Sequence, residues 1–236
     1  MIEIKGLNKS FGRNNVLNNI DLSINGGKIY AVLGHNGSGK TTLIKSLFGL
    51  VVPKSGGIEV NGKSIKKDFE YKRGLAYISQ IARFPQNLTV VELFSMISDL
   101  RSEKMKFDEL VDLFDIRKEL NKKLGHLSGG TRQKVNVVSA LMIDAAVLVC
   151  DEPTVGLDPS SLVKLKKLLV QEREKGKTII LITHIISLVE ELADEVFLLQ
   201  DGYLNFSGTV DELKKQEGDN NLEMALVKMM EHIEHG

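Results

Sequence analysis

Short apolar segments alternate with longer stretches of helical periodicity along this chain of 236 residues. Several of the short segments are bounded by Gly, Asn or Asp, as strands between turns are. They lie at residues 2–7, 16–24, 29–33, 58–60, 75–79, 146–151, 178–183, 195–200 and 203–207. Strands that alternate with helices indicate a mainly parallel sheet with crossover helices, so the pattern predicts an α/β fold.

Apolar positions at helical spacing predict the helices between and after these strands. The predicted helices cover residues 40–50, 89–100, 107–116, 131–143, 160–175, 187–193 and 222–234. Capping boxes mark two helix starts, at Thr89 with Glu92 and at Thr209 with Glu212. The second of these opens a short additional helix.

The distribution of strand signals also predicts how the chain is organised. Between about residues 82 and 144 these signals vanish and only helical patterns remain. We therefore predict one domain over 1–236, in which about 1–81 and 145–208 form the α/β core. Residues 82–144 form an inserted helical subdomain, and 209–236 form C-terminal helices.

Charge and composition narrow the setting in which the chain acts. Lys plus Arg and Asp plus Glu both number 31, so no overall field favours nucleic acid as a partner. Cys150, the only cysteine, lies in an apolar run and is expected to be a buried thiol in a reducing compartment. No apolar stretch approaches the roughly 20 residues that span a bilayer, and the start lacks signal-peptide features. These features predict a cytoplasmic protein.

The segment GHNGSGKTT follows the apolar strand IYAVL and precedes a predicted helix. It matches the pattern G-x-x-x-x-G-K-[ST], in which backbone N–H groups and a helix N-terminus surround phosphate. Lys40 is expected to bridge the outer phosphates and Thr41 to ligate Mg²⁺. His35 either contributes to this site or is an ordinary surface residue of the loop. The candidate nucleotide-binding residues are Gly34, His35, Asn36, Gly37, Ser38, Gly39, Lys40, Thr41 and Thr42.

Polar residues at the ends of other strands form a second candidate group. Asp151 and Glu152 end a buried strand at its carboxyl end, where α/β sheets bind ligands. Asp151 can hold Mg²⁺ and Glu152 can orient and deprotonate water, or the pair is simply a polar strand end that caps a helix. His184 and Gln80 follow two further strands. Each is either a group that contacts phosphate, Mg²⁺ or water, or an ordinary loop residue.

The segment HLSGGTRQ, at residues 126–133, is a further candidate for anion binding. Ser128 and two glycines stand directly before an apolar helical run, which is typical of a helix start that faces an anion. The chain therefore carries two such features, although one nucleotide needs only one phosphate loop.

Taken together, these segments resemble the ATP-binding cassette family over nearly the whole chain. The matching segments are the phosphate loop at 34–41, the glutamine at Gln80, the signature LSGGTRQ at 127–133, the acidic strand VLVCDE at 147–152, the D-loop GLDP at 156–159 and the switch histidine at His184. The resemblance implies a phosphate-loop NTPase core, an antiparallel N-terminal β subdomain and an inserted helical subdomain. It also implies ATP hydrolysis with Mg²⁺ as cofactor.

The resemblance assigns roles to individual residues. It implies catalytic roles for Glu152, His184, Gln80 and Lys40, and Mg²⁺ ligation by Thr41, Gln80 and Asp151. It further implies that Phe11, in KSFG, stacks on adenine. The alternative is that Phe11 belongs to the core of the small N-terminal sheet.

The resemblance also explains the second anion-binding segment. In this family two cassettes pack head to tail across a two-fold axis, which implies a homodimer with two composite sites. Ser128, Gly129 and Gly130 of one chain would close over the nucleotide held by the other. Asp158 would lie at the dimer seam.

The implied partner of such a homodimer is a separate integral membrane permease, at the cytoplasmic face of the membrane. The segment IARFPQNLTVVELFSMI, at 81–97, is expected to contact it. Loop spellings such as QIARFPQNLTVVELFSMISDLR and DEPTVGLDP are similar to export-type cassettes encoded with nitrous-oxide reductase maturation genes, which serve that enzyme's copper sites. A periplasmic or accessory maturation protein would then be a further partner.

Two further features of the sequence bear on its function. The alternative to a transporter subunit is a soluble cassette ATPase of iron–sulfur cluster assembly. His232 and His235 share one face of the last helix, but solvated histidines near a terminus explain them better than a metal site does.

Overall fold

The computed structural model describes residues 1–66, 69–101 and 107–235, with side chains described as far as residue 232. The strands are β1 (Ile2–Phe11), β2 (Asn14–Ile24), β3 (Ile29–Leu33), β4 (Ser55–Val60), β5 (Lys63–Ser64), β6 (Leu75–Ile78), β7 (Val147–Asp151), β8 (Thr178–Ile182), β9 (Glu195–Gln200) and β10 (Tyr203–Gly208). The helices are α1 (Lys40–Leu47), α2 (Val90–Arg101), α3 (Asp108–Leu113), α4 (Gly129–Leu141), α5 (Pro159–Glu174), α6 (Ile186–Leu192), α7 (Val210–Glu217) and α8 (Leu222–His235).

The strands of the described residues form two sheets. One is antiparallel, with the order β2-β1-β4-β5, and the other has the order β10-β9-β3-β8-β7-β6. In the second sheet neighbouring strands are parallel except for the β9–β10 hairpin. The predicted α/β fold, with a mainly parallel core and an antiparallel N-terminal sheet, is confirmed.

Successive side chains of the parallel strands enter different hydrophobic cores. Val147 and Val149 of β7 pack with α1 and the antiparallel sheet, whereas Leu148 and Cys150 pack with helices α2 to α6. Because both faces of the sheet are covered, β3, β7 and β8 are buried at every position. Burial on both faces explains why these strands appear in the sequence as unbroken apolar runs.

Helices α2, α3 and α4 lie between β6 and β7, and the described residues there contain no strand beyond an isolated bridge from Thr89 to Lys123. The capping box at Thr89 forms as predicted, with the Thr89 N–H donating to Glu92 Oε2 at 2.7 Å. Helix α3 is shorter than predicted and ends just before Asp115, which has a φ of 56°. The division of the chain into subdomains stays a prediction.

The chain after β10 forms two packed helices. The second predicted capping box is also present, with the Thr209 N–H donating to Glu212 Oε2 at 2.7 Å. Helix α8 packs through Leu222, Leu226 and Met229 into a third apolar core beside β9. Across the described ranges, no helix combines the length and apolar character needed to cross a bilayer.

Candidate active site

An open cleft of about 360 Å³ lies at the carboxyl ends of the parallel strands and brings together residues that are far apart in the sequence. Of the predicted site residues, the cleft is lined by Phe11, Asn36, Gly37, Gly39, Lys40, Thr41, Thr42, Gln80, Asp151 and Glu152. The loop after β3 and the acidic end of β7 therefore face one space. Gly34, His35 and Ser38 belong to the same loop but do not line this cleft.

The loop between β3 and α1 depends on glycine at two close approaches. A Cβ on Gly34 would lie 2.0 Å from the Leu199 carbonyl oxygen, and one on Gly39 would lie 2.6 Å from the Val16 carbonyl oxygen. Both glycines also have positive φ, at 145° and 105°. The loop can therefore pass this close to the neighbouring backbone only with glycine there, and it delivers the N-terminus of α1 to the cleft.

The Lys40 ammonium lies over the same loop. Its Nζ donates to the carbonyl oxygens of Gly34 at 2.7 Å and His35 at 2.8 Å. Burial lowers the pKa of Lys40, while the nearby carboxylates of Glu152 and Asp151 oppose that shift. A positive charge therefore sits between the loop and the acidic end of β7. The His35 ring itself contacts Asp201, in the turn after β9.

Asp151 is a largely buried carboxylate held by a neighbouring strand. The Tyr77 hydroxyl of β6 donates to Asp151 Oδ2 at 2.8 Å. Burial raises the pKa of Asp151, and the hydrogen bond from Tyr77 lowers it in part. Tyr77 was not among the predicted site residues. Its contact with Asp151 depends on the pairing of β6 with β7, which could not be predicted from the sequence.

Glu152 has a strained backbone and two side-chain partners. Its φ is 45°, a left-handed conformation that is uncommon for Glu and that recurs at functional sites. Its Oε1 lies 2.7 Å from His184 Nδ1, and the Thr183 hydroxyl donates to Oε2 at 3.3 Å. Glu152 is buried, whereas the His184 side chain is 75 % exposed. The structure thus joins two predicted residues and adds Thr183, which no sequence motif indicated.

Phe11 and Gln80 lie at the edge of the cleft. Phe11 is 53 % exposed, so it is not part of the core of the N-terminal sheet. The Lys9 ammonium lies 4.8 Å from the centre of the Phe11 ring. Gln80 follows β6 and lines the cleft beside Asp151 and Glu152. An exposed aromatic face and an amide are therefore available to a molecule in the cleft.

The segment around Ser128 lies outside this cleft. Ser128 is the N-cap of α4 and accepts a hydrogen bond from the Thr131 N–H at 3.2 Å. Both Ser128 and Gly129 are exposed, while a Cβ on Gly130 would lie 2.9 Å from the Gly156 carbonyl oxygen. The start of α4 is therefore open to another molecule, and Gly130 packs against the D-loop of its own chain.

Asp158 is engaged within the chain. It caps α5 by accepting from the Ser161 N–H at 2.9 Å, and its Oδ2 lies 2.7 Å from the Lys134 ammonium on α4. These contacts hold the pKa of Asp158 well below its usual range, with Lys134 as the largest cause. The start of α5 is thereby tied to α4.

The described C-terminal histidine, His232, contacts a carboxylate of α7. His232 Nδ1 lies 3.2 Å from Glu217, and the side chain of His235 lies outside the described residues. Within the ranges that the structure describes, no group of three or more His, Cys, Asp or Glu residues could hold a metal ion.

Comparisons with known proteins identify the class to which this fold and cleft belong. Residues 17–155, more than half of the chain, match the family model described as ABC transporter. The ABC-type transporter ATP-binding protein EcsA of Bacillus subtilis (strain 168) is 32% identical over 92% of this chain and 91% of its own. The chain therefore belongs to the ABC transporter family.

Solved structures support the same assignment. A structure described as the ATP binding subunit of an ABC transporter superposes with a TM-score of 0.93 at 29% identity, over 98% of this chain and 99% of its own. A cassette described as the dimeric post-hydrolysis state bound to ADP and Pi has the same fold, with a TM-score of 0.79 at 23% identity, over 89% of this chain and 98% of its own. The protein is a cassette ATPase, and specifically the ATP-binding subunit of an ABC transporter. The iron–sulfur alternative gains no support from these relatives.

Proposed function

We propose that two copies of this chain bind ATP between them, hydrolyse it, and thereby drive a separate membrane permease from the cytoplasmic face. The observation that carries the proposal is the position of Glu152. Its buried carboxylate faces the cleft that the phosphate loop also lines, and its partner His184 lies on the exposed side. A carboxylate held in this way can accept a proton from water next to a bound phosphate.

The cleft offers groups suited to both the base and the phosphates of ATP. The exposed ring of Phe11 offers a stacking surface for the base, and the N-terminus of α1 with Lys40 offers positive charge to the phosphates. The remaining loop residues would surround the phosphates through their backbone N–H groups, with Gly34, His35 and Ser38 shaping the loop from behind the cleft lining.

The oxygen donors around the same cleft fit Mg²⁺. Thr41, Gln80 and Asp151 all line it, and each carries a side-chain oxygen, the ligand type that Mg²⁺ prefers. Bound there, the ion would neutralise charge on the phosphate oxygens. The hydrogen bond from Tyr77 keeps the Asp151 carboxylate oriented, and its partial lowering of the Asp151 pKa favours the charged form that a cation needs.

Within the reaction, Glu152 and His184 act as a pair. An ionised Glu152 can only accept hydrogen bonds, so the contact with His184 places a proton on Nδ1. Glu152 would orient the attacking water and take its proton. The exposed face of His184 would contact the γ-phosphate, whose loss the imidazole then senses.

We infer that the working unit is a homodimer, because the exposed start of α4 lies outside the cleft of its own chain. Ser128 and Gly129 are exposed, and the helix N-terminus behind them is suited to an anion. In a head-to-tail dimer, Ser128, Gly129 and Gly130 would close over the γ-phosphate of the partner chain, with Asp158 at the seam. The dimeric relative bound to ADP and Pi has the same fold, which supports this arrangement.

The substitution Glu152→Gln tests the proposal. It should preserve ATP binding, lower turnover by about a hundredfold or more, and trap a dimer in the presence of ATP, because the proton acceptor is lost while the binding groups remain. Steady-state ATPase assays and size-exclusion chromatography with ATP measure both effects. Glu109→Gln, on the surface of α3, is the matched control and should behave as wild type. Wild-type turnover by Glu152→Gln would remove Glu152 from the proton-acceptor role.

The permease is proposed to dock along α2 and the segment before it. A surface groove on α2 is lined by Val91, Glu92, Ser95, Met96, Asp99 and Leu100. Ile81 is exposed beside Gln80. The Arg101 guanidinium donates to the Leu75 carbonyl at 2.9 Å and so holds the end of α2 against β6. A groove that combines apolar side chains with the carboxylates of Glu92 and Asp99 is suited to a short amphipathic helix from the permease.

We propose further that this permease is an export-type transporter encoded with nitrous-oxide reductase maturation genes. The similarity of the loop spellings QIARFPQNLTVVELFSMISDLR and DEPTVGLDP supports this, and an accessory or periplasmic maturation protein would be a further partner. Sequencing the neighbouring genes tests the proposal. A permease gene beside a nitrous-oxide reductase gene is the expected result, and a neighbourhood without either would count against it.

A further inference from the structure

Two buried amide side chains on α4 connect the backbone next to Gln80 with the backbone next to Glu152. Asn136 Nδ2 donates to the Ser79 carbonyl oxygen at 2.7 Å and to Gln133 Oε1 at 3.2 Å. Gln133 Nε2 in turn donates to the Pro153 carbonyl oxygen at 3.1 Å. Ser79 directly precedes Gln80, and Pro153 directly follows Glu152. A continuous series of three hydrogen bonds, through Asn136 and Gln133, therefore crosses α4 between the two loops. We call this series the relay.

The chemistry at the two ends fixes the direction of these bonds. Both ends are backbone carbonyls, which can only accept hydrogen bonds. Each amide must therefore direct its NH₂ group toward its carbonyl. Flipping the Gln133 amide would set its oxygen against the Pro153 carbonyl, and flipping Asn136 would do the same at Ser79. With both amides oriented, the bond between them can run only from Asn136 to Gln133.

Because both side chains of this pair are buried, their hydrogen bonds must be made within the protein. Gln133 is 4% exposed and Asn136 is 5% exposed, and their spacing places them on one face of α4. Buried polar groups are retained in a core when their hydrogen bonds are made, and losing one partner leaves the other unsatisfied. Both loops are therefore held to one rigid helix, whose exposed start carries Ser128.

We propose that Gln133 and Asn136 are positioning residues for ATP hydrolysis, which hold Gln80 and Glu152 at a fixed distance from the signature helix through the Ser79 and Pro153 carbonyls. The inference rests on the proposed roles of Gln80 and Glu152. A phosphate that engages the start of α4 thereby acts, through one helix, on the two groups that handle the attacking water.

Near-isosteric substitutions remove the amides without leaving large cavities. Asn136→Leu and Gln133→Met should each lower kcat by about tenfold or more, because a small displacement of a catalytic group is costly. The Kd for ATP should stay near the wild-type value, because the phosphate loop and Phe11 do not contact either amide. The double variant should be slower than either single variant, because Asn136 and Gln133 hold different loops to α4.

Ser139 provides a matched control on the same helix. It is buried, and its hydroxyl has no hydrogen-bond partner among the described residues. Ser139→Ala therefore changes a buried polar group of α4 without touching the relay. It should keep wild-type kcat, and thermal unfolding of all variants shows whether any loss of turnover is merely a loss of stability.

A fluorescent label beside Gln80 reports on position directly. Cys150 is fully buried, so a cysteine placed at the exposed Ile81 can be labelled selectively. In this labelled protein, adding Asn136→Leu should lower the anisotropy of the label, because the Ser79 carbonyl is no longer held. Ser139→Ala should leave the anisotropy unchanged. If Asn136 contributed only to the stability of the core, the label would keep its anisotropy in a variant that is still folded.

The outcomes separate the relay from the function on which it rests. If Glu152→Gln abolishes turnover while Asn136→Leu and Gln133→Met match Ser139→Ala in kcat and anisotropy, the relay is wrong and the proposed function stands. The relay is also overturned if the loss of kcat only follows a loss of thermal stability or of ATP affinity. Retained turnover in Glu152→Gln would overturn the proton-acceptor role, and the anisotropy would still test the relay.

Discussion

At the acidic end of β7, two residues that are suited to bind and hydrolyse ATP lower the stability of the folded protein. Asp151 is a carboxylate in a site where burial raises its pKa, so its charged form is disfavoured in the folded protein. Glu152 has a left-handed backbone that Glu adopts at a cost. Neither feature helps folding, and both leave carboxylates facing the phosphate loop across the cleft.

The substitution Asp151→Asn should therefore stabilise the protein while it removes activity. Asn keeps the size of the side chain and can accept from Tyr77, but it avoids burying a charge. At neutral pH the midpoint of thermal unfolding should rise by a few degrees. Because the folded-state pKa of Asp151 is raised, wild type regains this stability as pH falls and the carboxyl is protonated.

Thermal melts of both proteins without nucleotide, over a series of pH values, measure this difference. The gap between the variant and wild type should shrink steadily toward acidic pH. A gap that grew on acidification, or a variant less stable than wild type at neutral pH, would show that the Asp151 charge is not disfavoured by burial.

Some of these residues could be predicted from the sequence and others could not. The phosphate-loop pattern identified Lys40, and the position at the carboxyl end of a buried strand identified Asp151 and Glu152. Tyr77 and Thr183 were missed, because a hydroxyl in or after an apolar strand has no motif, and its contacts depend on which strands are neighbours.

At the scale of elements, periodicity gave the strands and the long helices, and backbone conformation decided where they end. Helix α1 stops at Leu47 rather than near residue 50, before Gly49 with a φ of 64°. Helix α3 stops before Asp115 for the same kind of reason. Apolar spacing continues past both points, so only the local conformation reveals the earlier ends.

Helix α2 is the element on which the docking proposal can be tested. Leu100 is 75% exposed on its groove, so Leu100→Glu should prevent co-purification of the permease by replacing an apolar contact with a third carboxylate beside Glu92 and Asp99. Val163→Glu on α5, at a residue 48% exposed, is the matched control and should still co-purify. Both variants should unfold near the wild-type temperature. Equal recovery of the permease by both would exclude α2 as the docking surface.

At the scale of the whole molecule, strand order assembles the site. The sheet order β3-β8-β7-β6 places the phosphate loop, His184, Glu152 and Gln80 at one edge, each after its own strand. The carboxyl ends of parallel strands meet at that edge, where α/β proteins bind ligands. The sequence predicts the strands but does not give their order, so the contact of Glu152 with His184 becomes visible only in the folded chain.

The same scale decides how the start of α4 is used. The exposed Ser128 lies outside the cleft of its own chain, and the proposed dimer uses it to complete the site of a second copy. Lys40→Ala should inactivate the site on its own chain, and Ser128→Arg should inactivate the site on its partner. Each variant alone should therefore be inactive as a homodimer.

The most direct test mixes the two inactive variants and measures ATP hydrolysis. Each mixed dimer pairs the intact phosphate loop of the Ser128→Arg chain with the intact signature of the Lys40→Ala chain. With random pairing and independent sites, an equal mixture should recover about a quarter of the wild-type rate. A Ser128→Arg chain that hydrolyses ATP at the wild-type rate by itself, or a mixture that stays as inactive as its components, would contradict the two-chain site.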